Sequence, residues 1–160
     1  MTARDDETAE RHGGGCLCGA VRYEVRGALR PALVCHCGMC QRLYAGPAYF
    51  TAAERADLHL LEGGTLAWYR SSAQATRGFC RDCGASLFWL PEGAGYTAVS
   101  CGSLDRPSGV RAAAHIFLAD QGDYYEIHDG LPQFQTGSGG QVPGAPSVVP
   151  DRDETAEGQG

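Results

Sequence analysis

Seven of the eight cysteines in this chain fall in three short clusters, and that grouping limits what it can fold into more than any other feature. The clusters are Cys16-Leu17-Cys18, Cys35-His36-Cys37-Gly38-Met39-Cys40 and Cys80-Arg81-Asp82-Cys83. The first eleven residues are polar and acidic, and lack the basic start and apolar stretch of a secretory signal. We therefore expect a cytoplasmic protein. Reducing cytosol keeps thiols free, so grouped cysteines there point to metal or catalysis rather than disulfides.

The spacing divides the seven into two sets. Cys80 and Cys83 form a C-x-x-C pair followed by Gly84, a geometry that turns two thiolates around one metal. Cys16 and Cys18, also followed by a glycine, are the natural second pair. Four thiolates close a tetrahedral zinc site, whose role is structural. Cys35, Cys37 and Cys40 supply three thiolates within six residues. Three protein ligands leave a fourth position for water or substrate, which marks a catalytic zinc. His36 is read as a core or supporting histidine, because in an extended stretch it points opposite to Cys35 and Cys37. Cys101 is read as a small buried apolar residue. A remote fourth ligand and a reactive thiol are its sharper alternatives.

The rest of the sequence bounds the setting. A chain of 160 residues fits one domain with a true core. No apolar run approaches the roughly 20 residues of a membrane helix. The net charge of −6 lies mostly in the two ends, and all thirteen basic residues are arginine. The near-neutral middle offers no footprint for nucleic acid and no polybasic membrane patch. We expect a disordered acidic leader at 1–12, a folded domain at 13–136, and a disordered Gly/Pro/acidic tail at 137–160. Inside the domain Val21, Tyr23 and Val25 alternate with Arg22, Glu24 and Arg26, the pattern of a half-buried strand. Similar runs recur at 32–35, 47–51, 58–61, 66–69, 85–90, 96–101 and 112–118. Gly and Pro separate them. The expected fold is mostly β, about eight short strands, with one turn of helix after Cys37 and another near 52–56.

At these cysteines the sequence resembles the glutathione-dependent formaldehyde-activating enzyme family, which includes centromere protein V. The matching stretches are GGGCLCGAVRYEV at 13–25, CHCGMCQR at 35–42, GFCRDCGASLFW at 78–89, CGSLDRP at 101–107 and AHIFLADQGDYYEIHDGLPQF at 114–134. The resemblance implies a β-tent of twisted antiparallel sheets around zinc. It implies a structural zinc on Cys16, Cys18, Cys80 and Cys83, and a catalytic one on Cys35, Cys37 and Cys40. The implied activity is that of a carbon–sulfur lyase, joining glutathione and formaldehyde as S-hydroxymethylglutathione or reversing that step. One departure is Gln41, where family members often carry arginine directly after the third cysteine; here Arg42 follows it.

Glutathione, or a similar small thiol, is the expected partner. Its carboxylates want arginines, and Arg42 beside the second cluster and Arg77 before the third are the candidates. His115, in A-H-I-F, is read as a hydrogen-bonded structural residue. Phe88, Trp89, Tyr124, Tyr125 and Phe134 are read as core or pocket wall. Asp105 and Asp129-Gly130 are read as turns. Two other functions fit the same residues. One is a non-catalytic zinc module that binds a protein. The other is a redox enzyme of the methionine sulfoxide reductase type using Cys101, although no basic residue lies closer in sequence than Arg106.

Overall fold

The run at 21–26 organises the first sheet. Val21, Tyr23 and Val25 are wholly buried, while the charged residues between them stay half-buried. One face of the strand is thus apolar and has to be covered. The structure, a computed structural model, describes residues 10–142. In it β1 (Arg11–Gly15), β2 (Arg22–Arg26) and β5 (Leu58–Glu62) form a three-stranded antiparallel sheet in the order β1-β2-β5.

The second sheet holds β3 (Ala32–Cys35), β4 (Ala48–Glu54), β6 (Leu66–Arg70), β7 (Ala75–Cys80), β8 (Ser86–Pro91), β9 (Tyr96–Ser100) and β10 (Ala112–Ile116). Its order is β10-β3-β4-β9-β8-β7-β6, antiparallel throughout except between β10 and β3. One helix, α1 (Gly38–Tyr44), follows β3. The fold is mostly β, as the alternation predicts.

The sheets meet in one core. Val21, Tyr23 and Val25 pack on Leu87, Phe88, Val99 and Leu104. Tyr23 meets Phe88 edge-on with ring centroids 5.1 Å apart, an arrangement aromatic pairs favour. The Tyr23 hydroxyl lies 2.6 Å from Ser103 Oγ and passes over β1. A Cβ on Gly14 would sit 2.2 Å from that hydroxyl oxygen. The glycine run before Cys16 is therefore needed for close approach, and it also hides a strand. With no side chains to alternate, β1 shows no period-2 signal.

Other boundaries shift for similar reasons. β1 begins at Arg11, inside the expected leader, because its backbone pairs with β2 from Arg11 to Gly15. Residues 137–142 continue past the expected domain end, and Val142 packs against Leu33, Ala114 and Ile116. Residues 1–9 and 143–160, the rest of the expected leader and tail, lie outside the described residues. The expected helix at 52–56 is absent: Ala52 and Ala53 pair with Ala98 and Thr97 in β9, and only a 3₁₀ turn follows at Arg55–Asp57. Sheet pairing overrides the helix preference of alanine. β7, interrupted by Gly78, is a strand the alternation does not reveal.

Candidate functional site

All eight cysteines are free thiols, and the fold brings seven of them into two groups. Cys16 and Cys18 leave the end of β1, while Cys80 ends β7 and Cys83 lies in the turn before β8. Their sulfurs all fall within 4.8 Å of one another. Cys16 and Cys18 are 3.6 Å apart and Cys18 and Cys80 3.8 Å. Metal–sulfur bonds of about 2.3 Å in a tetrahedron set the sulfurs about 3.8 Å apart, so the donor set fits. Gly84 at φ +75° closes the C-x-x-C turn, with its N–H donating to the Cys80 carbonyl at 2.7 Å. The Thr65 hydroxyl lies 3.2 Å from Cys80 Sγ. That contact, then the amides of Cys83 and Asp82, draws the Cys80 thiol down to about 6.

The second group gathers Cys35 at the end of β3 with Cys37 and Cys40 around the start of α1, again with sulfurs within 4.8 Å. Cys37 is the N-cap of α1, and its sulfur accepts the Cys40 amide at 3.3 Å. Among the described residues no fourth Cys, His or carboxylate joins them. The Cys35 thiol is pushed well up by Cys37, Cys40 and burial. Three thiols so close cannot all ionise unaided, so the arrangement calls for a cation. Both groups could hold a metal ion.

His36 is not a fourth ligand, because both its ring nitrogens are engaged elsewhere. Nδ1 lies 2.5 Å from the Tyr125 hydroxyl and Nε2 2.7 Å from His115 Nδ1. His115 Nε2 in turn meets Asp129 Oδ2 at 2.8 Å. Both rings are buried, 1 % and 3 % exposed. Burial, then the neighbouring His115, lowers the His36 pKa. His115 is thus hydrogen-bonded through both ring nitrogens. Asp129 does form a turn, its Oδ1 accepting the Leu131 amide, but it also anchors the histidines, which the sequence did not reveal.

Gln41 fastens the same region. Its Nε2 donates to the carbonyls of His36 and Asp120, each at 2.7 Å, and its Oε1 accepts from the Tyr124 hydroxyl. Tyr124 is exposed rather than core; Phe88 is core, and Trp89, Tyr125 and Phe134 are half-buried. Asp105 is more than a turn residue. It pairs with Arg22 through two contacts, 2.5 and 3.1 Å, which hold its carboxyl below the usual range.

Arg42 is exposed on α1. Arg77 is buried and reaches Tyr44, Met39 and Cys40. Cys101 joins neither sulfur group, and burial pushes its thiol up. Its neighbouring cation is Arg30, not Arg106. A half-buried thiol with a raised pKa is a poor nucleophile, which counts against the redox reading. A cleft of about 580 Å³ is lined by Gly15, Leu17, Leu43, Tyr44, Ser86 and Ser103 among others, and by none of the cysteines. Tyr44, Ala48 and Phe50 separate it from Cys37 and Cys40.

The model of the glutathione-dependent formaldehyde-activating enzyme family matches residues 11–120. The chain belongs to that family. Membership supports a formaldehyde-activating, glutathione-related function. No curated protein matches the chain. Among solved structures, the crystal structure of a Rhodobacter sphaeroides protein from a structural genomics programme is similar. It shares 23 % identity over 76 % of this chain and 98 % of that one, with a TM-score of 0.51. That likeness concerns the fold alone. No helix among the described residues is long and apolar enough to cross a membrane.

Proposed function

We propose that this chain is a zinc-dependent carbon–sulfur lyase that joins a small thiol to formaldehyde or another small aldehyde, or takes the adduct apart. Glutathione is the first thiol to test. The observation that carries the reading is the unequal ligand count: four sulfurs in one group, three in the other. Cys16, Cys18, Cys80 and Cys83 would hold a structural zinc. Cys35, Cys37 and Cys40 would hold the second, at the reacting centre. Zinc there would supply a positive charge that keeps a substrate thiol ionised at neutral pH.

The chain's own residues do the rest. In the forward direction the thiol loses its proton, sulfur bonds the aldehyde carbon, and the carbonyl oxygen takes up a proton. β3 and α1 fix the three cysteines from both sides, and Gln41 ties that junction to residue 120. Such fixing contributes by proximity, which is where most of the gain lies for a reaction this facile. The wall formed by Tyr44, Ala48 and Phe50 keeps Cys37 and Cys40 away from water. Arg42, exposed beside the group, would meet a substrate carboxylate. The folded domain at 13–136, extended as described above, and a cytoplasmic location complete the reading; cysteines clustered at metal-ligand spacing fit a reducing compartment.

Thiols add to formaldehyde without help, so the test has to measure exchange at equilibrium. Magnetisation exchange between free and hydroxymethylated glutathione should speed up with the wild-type protein. It should fall to the uncatalysed rate with Cys40→Ser while the four-cysteine group keeps its metal. Wild-type protein that leaves the exchange rate of glutathione and of simpler thiols unchanged removes the lyase reading.

A further inference from the structure

Among the described residues, Arg77 is a buried charge with no carboxylate partner. It lies in the middle of β7, 8 % exposed, between Tyr69 of β6 and Trp89 of β8. Among the described residues its contacts are the Tyr44 hydroxyl at 2.9 Å, Met39 Sδ at 3.4 Å and Cys40 Sγ at 4.0 Å. Its Nε is buried with no partner among the described residues. An uncompensated buried charge is strongly destabilising, so something nearby has to carry the opposite sign. The nearby groups able to do so are the Tyr44 phenol and the sulfurs of Cys40 and Cys37. A phenol is ordinarily neutral at pH 7. The sulfurs remain.

We propose that Arg77 is the counter-charge of the three-cysteine group: it offsets the negative charge by which three thiolates exceed a divalent cation, and so favours the arrival of a substrate thiolate. The first half stands on the geometry of Arg77 alone, while the second rests on the thiol-transfer reading above. A fourth thiolate would add negative charge to a group that already carries an excess. A fixed guanidinium beside Cys40 reduces that repulsion and needs no rearrangement when the thiol arrives. Arg77 is thereby a positioning residue, turned toward the protein's own sulfurs rather than toward a substrate carboxylate. The strand explains the placement. Residues three apart on a strand face opposite sides, so β7 sends Cys80 to one sulfur group and Arg77 to the other.

The test uses Arg77→Met and Arg77→Lys in the full chain, with cobalt(II) as the probe metal and its visible spectrum as the readout. Arg77→Met should lower cobalt affinity at the three-cysteine group by about 10- to 100-fold, the range for losing a supporting partner. The four-cysteine group should be unaffected, and Arg77→Lys should recover most of the loss. Added ligands separate charge from shape. For 2-mercaptoethanol, bound as thiolate, the Kd should rise about 10-fold or more in Arg77→Met, while that of neutral imidazole should stay within about 3-fold. Unchanged cobalt affinity in Arg77→Met overturns the proposal, as does equal weakening of both added ligands. Loss of metal from the four-cysteine group would report misfolding, and Arg77→Gln then carries the same comparisons. Arg77-dependent thiolate binding without faster adduct exchange would keep the counter-charge and remove the lyase.

Discussion

The row of hydrogen bonds Tyr125–His36–His115–Asp129 has a direction, and the direction can be measured. The Asp129 carboxyl is held below its ordinary pKa, first by the Leu131 amide and then by His115. It is therefore an acceptor at neutral pH, and His115 must donate from Nε2. When both rings are neutral, His115 Nδ1 accepts from His36 Nε2–H, and His36 Nδ1 accepts from the Tyr125 hydroxyl. Asp129→Ala removes the terminal acceptor and strands a donor on a ring that is 3 % exposed. Leaving a buried donor unsatisfied costs about 1–3 kcal/mol. About 2 kcal/mol lowers Tm by roughly 4–8 °C in a chain of this size. Asp129→Asn retains an oxygen acceptor and should lose less than half as much. Thermal unfolding of the metal-loaded protein reads the stability, and long-range ¹H–¹⁵N correlation reads the tautomers. Wild-type His36 and His115 should both carry the proton on Nε2. An Nδ1–H tautomer on either ring, or an Asp129→Ala protein melting within about 1 °C of wild type, refutes this reasoning.

Two further substitutions probe the frame around the sulfur groups. Cys83→Ser should lower the bound metal by one per chain, measured by elemental analysis, and loosen the β7–β8 turn, seen as faster amide exchange at residues 81–86. Gly14→Ala places a Cβ where the Tyr23 hydroxyl sits, 2.2 Å away. It should destabilise by about 1–3 kcal/mol in denaturant unfolding, and because Tyr23 Cζ and the Ser103 carbonyl crowd the same Cβ, pairing it with Tyr23→Phe should recover little of that loss.

What the sequence reveals of this fold depends on whether side chains carry the signal. At 32–35 and 66–69 apolar and β-branched residues expose the strands, and the structure places β3 and β6 there. β1 is built from glycine because Tyr23 and Asp105 crowd it, so the residues that make the strand possible also erase its pattern. The sulfur groups were legible because ligand spacing is a local constraint. The partners of those groups were not. Thr65, Asp129 and Tyr44 reach Cys80, His115 and Arg77 only through chain reversals that no local rule encodes. Arg77 shows the limit most plainly: its sequence position suggested a cation near the site, but only burial reveals which way the charge faces.

The two sulfur groups also explain one another. The four-cysteine group joins the end of β1 to the end of β7, so it ties the small sheet to the large one at the rim of their shared core, and Cys80 itself belongs to that core. The three-cysteine group sits where β3 passes into α1, held from above by Gln41 and the residues near 120 and from below by Phe50 and Ala98. Strands β4, β9 and β8 connect the two regions within one sheet. A metal in the first group would therefore stabilise the sheet that positions the second, whereas one in the second could change ligands without loosening the sheets. On the proposed function, that asymmetry would let one centre remain closed and the other exchange a ligand on a domain of this size. It also sets an order for metal removal: a chelator should empty the three-cysteine group while the fold persists, and unfolding should accompany loss of the four-cysteine metal.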